Sequence, residues 1–354
     1  MTGNCGRVFA VDGARRIRGV LLHLGQNMWG EYLAPGEMRD PKMQYTFDRL
    51  QTDETTWRNL TALMRKRGYN FAVIDVGEGV VLPSHPELAV RGSWSADRMR
   101  DEVARLREMG IEAIPKFNFS TCHDGWLKQY GRMVSTPKYY EVVRDVINDA
   151  CDIFGNPAYF HLGLDEEGAM MQKNYPLIVY RQGDLWWHDF FFYLDCLQKR
   201  NARPIVFTSW CGSENLETFD KRVPKEVINN VGWHQDVPEL EWLKERAKVS
   251  EFRAHQLKVL DFFKKLGEWK RPVLVEASNW LDKSKIAKPW PIGKDYPRHP
   301  KAIVTANELI RSHVPEDCYL GSICTPWGHI KPELEDYWSS GINQLADYMD
   351  GKGF

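Results

Sequence analysis

Short β-branched or apolar runs alternate with longer amphipathic stretches along nearly the whole chain, and this alternation restricts the fold more than any other feature. Val and Ile content and flanking turn residues predict strands at Gly19–Leu24, Phe71–Val76, Ile111–Phe119, Tyr159–Leu164, Pro204–Thr208, Val227–Trp233, Val273–Ala277 and Leu320–Thr325. Helical patterns lie between them near Thr55–Arg67, Ser95–Met109, Pro137–Ile153, Leu185–Arg200, Leu240–Leu266, Ala302–His313 and Pro332–Met349. In Ser95–Met109 the serine sits at a cap position, Val103, Leu106 and Met109 form one stripe, and Gly110 ends the pattern. Eight strands spaced roughly 38 residues apart between residues 18 and 325 predict an α/β fold, a (β/α)8 TIM barrel, with residues 1–354 as a single domain. An open doubly wound sheet would want a glycine-rich phosphate turn after an early strand, and Gly77-Glu78-Gly79 lacks that fingerprint. Lys283–His299, with three prolines, reads as a long loop on the barrel's C-terminal face.

Composition excludes several classes of function. Lys plus Arg is 47 and Asp plus Glu is 48, giving a net charge of −1, so there is no basic stripe for nucleic acid and no acidic tail. No apolar run approaches the ~18 residues of a membrane span. Met1–Val11 lacks the pattern of a signal peptide, which leaves the compartment open between cytoplasm and export with a leader removed. The seven cysteines are scattered without a C-x-x-C pair, so neither a disulfide framework nor a zinc knuckle is expected. Tryptophan stands out: there are 14, and each offers a flat apolar face with a hydrogen-bonding edge, a shape that suits a sugar ring.

In a barrel the chemistry belongs at the carboxyl ends of the strands. Polar and aromatic residues gather there: His23, Gln26, Asn27 and Trp29 after the first strand; Asp75 and Glu78 after the second; Asn118, His123 and Asp124 after the third. The fourth delivers His161, Asp165, Glu166 and Glu167, and the rest bring Trp210, Trp233, His234, Glu276, Asn279, Trp280, Asp282, Trp327 and His329. Strand alternation through Tyr159–Asp165 turns His161, Gly163 and Asp165 to the barrel axis and Phe160, Leu162 and Leu164 to the helix layer. Adjacent acids in different surroundings can divide the tasks of carboxylate and proton donor. The bland alternatives are a solvated helix start for the acids and a core histidine for His161. A metal site built from His23, Asp75, Glu78, His123, His161 and Asp165 is a third reading, but no H-x-H, H-E-x-x-H or paired Cys/His spacing is present, so no metal and no cofactor are expected.

His161-Leu-Gly-Leu-Asp165-Glu166 resembles the H-x-G-G-D-E motif of the family 20 glycoside hydrolases, the β-N-acetylhexosaminidases, which are (β/α)8 barrels. The resemblance extends to Arg18-Gly19-Val-Leu-Leu, similar to the family's R-G-x-x-L-D strand, and to Gly110–His123, similar to its GI-x-x-IPE-x-D-x-PGH segment. Arg203–Trp210, Val231–Trp233 and Ile323–Trp327 resemble strands that end in pocket tryptophans. It implies substrate-assisted retaining cleavage of a 2-acetamido sugar, with Asp165 orienting the acetamido group and Glu166 as general acid and base. The residues implied or placed around the sugar are Gln26, Asp75, Glu78, Asn118, His123, His161, Trp210, Trp233, Trp280, Asp282, Trp327 and His329.

The departures fall on the sugar-reading positions. The family's arginine after the first strand falls at Gln26, the aspartate of its opening strand at His23, its tyrosine at Trp280 and its W-x-E glutamate at His329. The expected partner is therefore a carbohydrate, an oligosaccharide or glycoconjugate glycan, with a rebuilt specificity shell. Three other readings compete: a glycosidase for a non-acetamido or modified hexose using a second carboxylate such as Asp75, Glu78 or Glu276, a non-catalytic carbohydrate-binding barrel, and a metal-dependent lyase or aldolase.

Overall fold

The computed structural model describes residues 16–41, 43–167, 179–209, 216–233, 240–279 and 301–352. Eight parallel strands close into a barrel in sequence order: β1 (Ile17–His23), β2 (Phe71–Asp75), β3 (Glu112–Lys116), β4 (Tyr159–His161), β5 (Arg203–Phe207), β6 (Ile228–Gly232), β7 (Val273–Ala277) and β8 (Tyr319–Cys324). β8 pairs back onto β1, with Ile17 opposite Gly321 and Val20 opposite Cys324. The predicted (β/α)8 barrel is the observed fold.

Strand alternation sorts the apolar residues into two cores. Ile17, Leu21, Phe71, Val73, Ile114, Ile205, Ile228, Leu274 and Ile323 fill the barrel. Their neighbours, among them Val20, Leu22, Ala72, Ile74, Phe160, Leu162, Val206 and Val275, pack in the larger cluster beneath the helices. These helices are α1 (Glu54–Lys66), α2 (Ala96–Glu108), α3 (Pro137–Ile153), α4 (Asp184–Lys199), α5 (Leu216–Arg222), α6 (Leu240–Ala247), α7 (Glu251–Glu268), α8 (Ala302–Arg311) and α9 (Glu335–Met349). Side-chain caps open several of them. Asp53 accepts from Thr56 N at 2.8 Å to start α1, and Ser95 accepts from Arg98 N at 3.1 Å to start α2.

Three expectations are corrected. The single helix predicted over Leu240–Leu266 is two, because Ser250 is extended and its hydroxyl caps α7. The helix α5 was not foreseen. β4 stops at His161 rather than Leu164, because Gly163 (φ 70°) and Leu164 (φ 67°) are left-handed and carry the chain out of the ladder. The loop expected at Lys283–His299 lies outside the described residues. Ser95→Ala removes the acceptor for one orphan N–H of α2, so the urea midpoint is expected to fall by the equivalent of about 1 kcal/mol at unchanged slope. An unmoved midpoint would show the cap to be idle.

Candidate functional site

At the C-terminal end of the barrel the apolar interior gives way to a polar layer. His23 is the register partner of Asp75, Asp75 of Lys116, and Lys116 of His161, so four adjacent strands end on four polar side chains. All four are buried. Lys116 Nζ lies 2.5 Å from Asp75 Oδ2, and His23 Nδ1 lies 3.4 Å from the same oxygen. Burial opposes ionisation of Asp75, but Lys116 and His23 outweigh it and hold the carboxyl below its ordinary range. Burial likewise pulls the His23 imidazole down, against the pull of Asp75. The rings of Trp29 and Trp327 stand 4.9 and 5.4 Å from His23.

β4 ends in a turn built by two side chains. His161 Nδ1 accepts from Gly163 N at 3.0 Å, which places the ring proton on Nε2, donating to Asn230 Oδ1 at 3.0 Å. Burial pushes this imidazole down to about 3, so it is neutral at any working pH. Asn118 Oδ1 accepts from Leu164 N and Ser120 N, both at 3.1 Å, and its Nδ2 donates to Asp165 Oδ1 at 2.7 Å. Only glycine fits at 163, since a Cβ there would stand 2.1 Å from Asn118 Oδ1.

Asp165 and Glu166 follow directly, Glu166 with a left-handed φ of 57°. Both are partly exposed. His123 Nε2 is 3.5 Å from Asp165 Oδ2 and 3.3 Å from Glu166 Oε2. Burial disfavours the imidazolium, yet the two carboxyl groups outweigh it and raise His123 above its ordinary range.

Glu167 plays a different part from its neighbours. Its carboxylate is buried against Arg181, which donates from Nε at 2.6 Å and also through Nη2. Thr121 N donates to Glu167 Oε2 at 3.2 Å. Arg181 further donates to Phe119 O at 2.9 Å, to Asp189 Oδ2 at 3.0 Å and to Tyr193 Oη at 2.6 Å. A buried cation thus ties the acid segment to β3's outgoing loop and to α4.

The remaining sequence-derived residues divide by what they touch. Glu78 turns its carboxylate into the β1 loop, accepting from Gln26 N at 2.6 Å and Asn27 N at 3.1 Å. Burial pushes it up to about 7 despite those bonds. Gln26 Nε2 donates to His23 O at 3.3 Å, while its Oε1 is buried without a partner. His329 is buried with Nδ1 unpartnered, and desolvation pushes it down to about 3. Trp327 is half-buried against the barrel's inner core, 6.2 Å from the Phe207 ring. Trp233 packs with Phe263 in the helix-side cluster. Glu276 accepts from Thr325 Oγ1 at 2.6 Å on the inner face of β7, against Gly232. Trp210, Trp280 and Asp282 lie outside the described residues. Sequence reasoning missed Lys116 and Arg181; Lys116 was legible as a cation at an inward strand position, whereas nothing in the spacing marks Arg181. Among the described residues, no group of three or more His, Cys, Asp and Glu side chains could hold a metal ion.

No protein-family model matches the sequence, and no curated protein matches it. Solved structures do match its fold. The β-N-acetylhexosaminidase from Bacteroides fragilis has a TM-score of 0.58 at 14% identity, covering 93% of this chain and 65% of that one. The chain has the fold of the β-N-acetylhexosaminidase barrel. A mutant Streptomyces plicatus β-hexosaminidase in complex with product GlcNAc gives a TM-score of 0.58 at 10% identity, covering 94% of this chain and 63% of that one. The Vibrio harveyi exo-β-N-acetylglucosaminidase in complex with N-acetylglucosamine gives 0.51 at 14% identity, with 94% and 56% covered. The chain thus spans less than two thirds of the length of each of these three family 20 neighbours.

Two outcomes test this geometry. Arg181→Met leaves Glu167 and Asp189 buried without their cation, and chemical denaturation is expected to report a loss of about 3–5 kcal/mol; a loss below 1 kcal/mol would mean that the network is dispensable. Glu78 binds its proton more tightly folded than unfolded, so its contribution is fully present below its ordinary value of 4.5 and is lost as pH rises through about 7. Glu78→Gln mimics the protonated form, and its stability relative to wild type is expected to climb by up to about 3 kcal/mol between those limits. A flat difference would contradict the assignment.

Proposed function

We propose that the chain is a glycoside hydrolase that cleaves a 2-acetamido sugar with retention, using Glu166 and Asp165. The observation that carries the reading is the adjacent pair itself: two carboxyl groups at the barrel mouth, bridged by His123, with Asp165 held by Asn118 at 2.7 Å. The shared fold with β-N-acetylhexosaminidases supports it.

In this reading the substrate's acetamido oxygen attacks the anomeric carbon as the glycosidic C–O bond breaks, and Glu166 gives its proton to the departing oxygen. The Asp165 carboxylate accepts the acetamido N–H and stabilises the positive charge of the oxazolinium ion that forms. Water then attacks the same carbon, its proton returns to Glu166, and the acetamido group is restored. Asn118 orients Asp165, and His123 stands within 3.5 Å of both carboxyl groups. Trp29 and Trp327, beside His23, supply the aromatic wall of the sugar pocket and exclude water from it. Gln26 and His329, each with a buried unpartnered polar atom, contribute uncharged contacts to the sugar's hydroxyls.

Chromogenic β-N-acetylglucosaminide, β-N-acetylgalactosaminide, β-glucoside and β-galactoside distinguish the possibilities. Turnover is expected only with the acetamido sugars, with losses of about 10²–10⁴-fold in Glu166→Gln and about 10²-fold or more in Asp165→Asn. Hydrolysis of plain glycosides that survives Asp165→Asn would move the second catalytic role to another carboxylate, Glu276 being the one on the inner face of β7. Sugar binding without turnover of any of the four would favour a non-catalytic barrel.

A further inference from the structure

The acid segment leaves β4 on backbone that the barrel ladder does not hold. β4 ends at His161, and Gly163, Leu164 and Glu166 have φ values of 70°, 67° and 57°. Left-handed residues that carry side chains persist only where their surroundings fix them. Asn118 fixes the first part of this turn through Leu164 N and Asp165 Oδ1. Glu166 follows, and the residue after it, Glu167, meets a second anchor.

That anchor is a guanidinium with no donor to spare. Arg181 Nε donates to Glu167 Oε1 at 2.6 Å. Nη1 donates to Asp189 Oδ2 at 3.0 Å and to Tyr193 Oη at 2.6 Å, and Nη2 donates to Phe119 O at 2.9 Å and to Glu167 Oε2. All five N–H groups of the fork are used, on the acid segment, the loop after β3 and α4. The side chains of Glu167 and Arg181 are each 1% exposed.

A buried ion cluster is weak support for stability, because apolar side chains of the same volume hold a fold equally well without the desolvation cost. What apolar packing lacks is direction. Glu167 Oε2 also accepts from Thr121 N at 3.2 Å, so the carboxylate is fastened to the loop after β3 both directly and through Arg181 on Phe119 O. The same loop carries His123, whose Nε2 lies 3.3 Å from Glu166 Oε2, and Cys122, whose Sγ donates to Glu166 O at 3.2 Å. Glu166 is thus set against His123 by its two neighbours: Asp165 held by Asn118, and Glu167 held by Arg181.

We infer that Glu167 and Arg181 are positioning residues for proton transfer by Glu166. Both are buried beneath the mouth, and they act by fixing the backbone that aims the Glu166 carboxyl at the departing oxygen. Misplacing a reacting group by about 1 Å costs on the order of 10²-fold. Glu167→Ala cuts this clamp and leaves Arg181 with Asp189, whose carboxylate also accepts from Ser135 Oγ at 2.6 Å and Tyr140 Oη at 2.5 Å, so the buried cation keeps a counterion. Arg181→Lys keeps the charge but loses the fork.

The inference rests on the proposed glycosidase reading, and one arm of its test stands apart from that reading. In the first arm kcat/KM, which reports the step that breaks the glycosidic bond, is measured on two substrates. A dinitrophenyl 2-acetamido-glycoside releases a phenolate that departs without a proton, whereas the β-linked disaccharide of the same sugar releases an alkoxide that needs one. Glu167→Ala and Arg181→Lys are each expected to lose at least about 30-fold on the disaccharide and no more than about three-fold on the dinitrophenyl glycoside. Glu167→Gln, which keeps one acceptor oxygen for Arg181, is expected to lose less on the disaccharide than Glu167→Ala. A role in folding alone lowers the amount of active protein and reduces both rates by one factor; that result, or no loss on either substrate, would overturn the inference. The second arm compares crystal structures of wild type and Glu167→Ala. The Glu166–His123 contact of 3.3 Å is expected to open beyond hydrogen-bond reach, about 3.5 Å, while Asp165 stays on Asn118. Glu166 still seated on His123 in Glu167→Ala would overturn the inference whether or not the wild type hydrolyses either substrate. Absence of wild-type turnover would count against the glycosidase reading alone, and the crystal structures would still decide whether the clamp positions Glu166.

Discussion

The close approach of Gly163 to Asn118 is the contact on which the candidate site depends. A Cβ at 163 would stand 2.1 Å from the Asn118 amide oxygen, so a side-chain amide can enter the space where the β3–β4 ladder would have continued. That amide satisfies Leu164 N and Ser120 N and turns its nitrogen toward Asp165, thereby converting the end of a strand into a mount for a carboxylate. His161 completes the turn from the other side by accepting from Gly163 N. The left-handed residues Leu164 and Glu166 each cost on the order of 1 kcal/mol, and the surrounding hydrogen bonds hold them there.

Burial then separates the carboxyl groups near the mouth into two kinds. Asp75 is engaged by Lys116, Glu78 by the backbone of the β1 loop, and Glu167 by Arg181. Asp75 and Glu167 are compensated by a cation within the protein, as buried charge requires, whereas the backbone bonds to Glu78 offset burial only in part and leave it raised to about 7. Asp165 and Glu166 are partly exposed and share an imidazole that can change its own charge. The proposed mechanism therefore assigns the chemistry to the pair whose compensation is adjustable, while Asp75 with Lys116 and Glu167 with Arg181 hold the layer beneath.

The fold was legible in the sequence because each strand carried its own local signal. Parallel strands buried on both faces read as short apolar runs, and their inward and outward sets follow from a period of two, which placed His161 on the axis; Asp165 lies beyond the end of β4, past two left-handed residues, where that period no longer applies. The site was legible only where a residue's role depends on its own strand position. Arg181 lies 14 residues beyond Glu167, and no periodicity links them; Lys116 finds Asp75 through register between strands that only a folded barrel sets. Trp233 looked like a pocket wall, but the alternation that turns Asn230 and Gly232 inward turns Trp233 toward Phe263 and the helices. The end of β4 was misjudged because the run Tyr159–Leu164 stays apolar through the turn, and left-handed backbone at a leucine has no signature in composition.

The central claim is that the pair acts on a sugar whose own acetamido group is the nucleophile. The most direct measurement is calorimetric binding of a bicyclic thiazoline, in which sulfur replaces the oxygen of the cyclised acetamido group, compared with the parent 2-acetamido sugar. The mechanism predicts that the wild-type protein binds the thiazoline at least about 10²-fold tighter than the sugar, as expected for a mimic of the species stabilised along the reaction, and that Asp165→Asn removes most of that preference. Equal affinity for the two ligands, or a preference unchanged in Asp165→Asn, would contradict it.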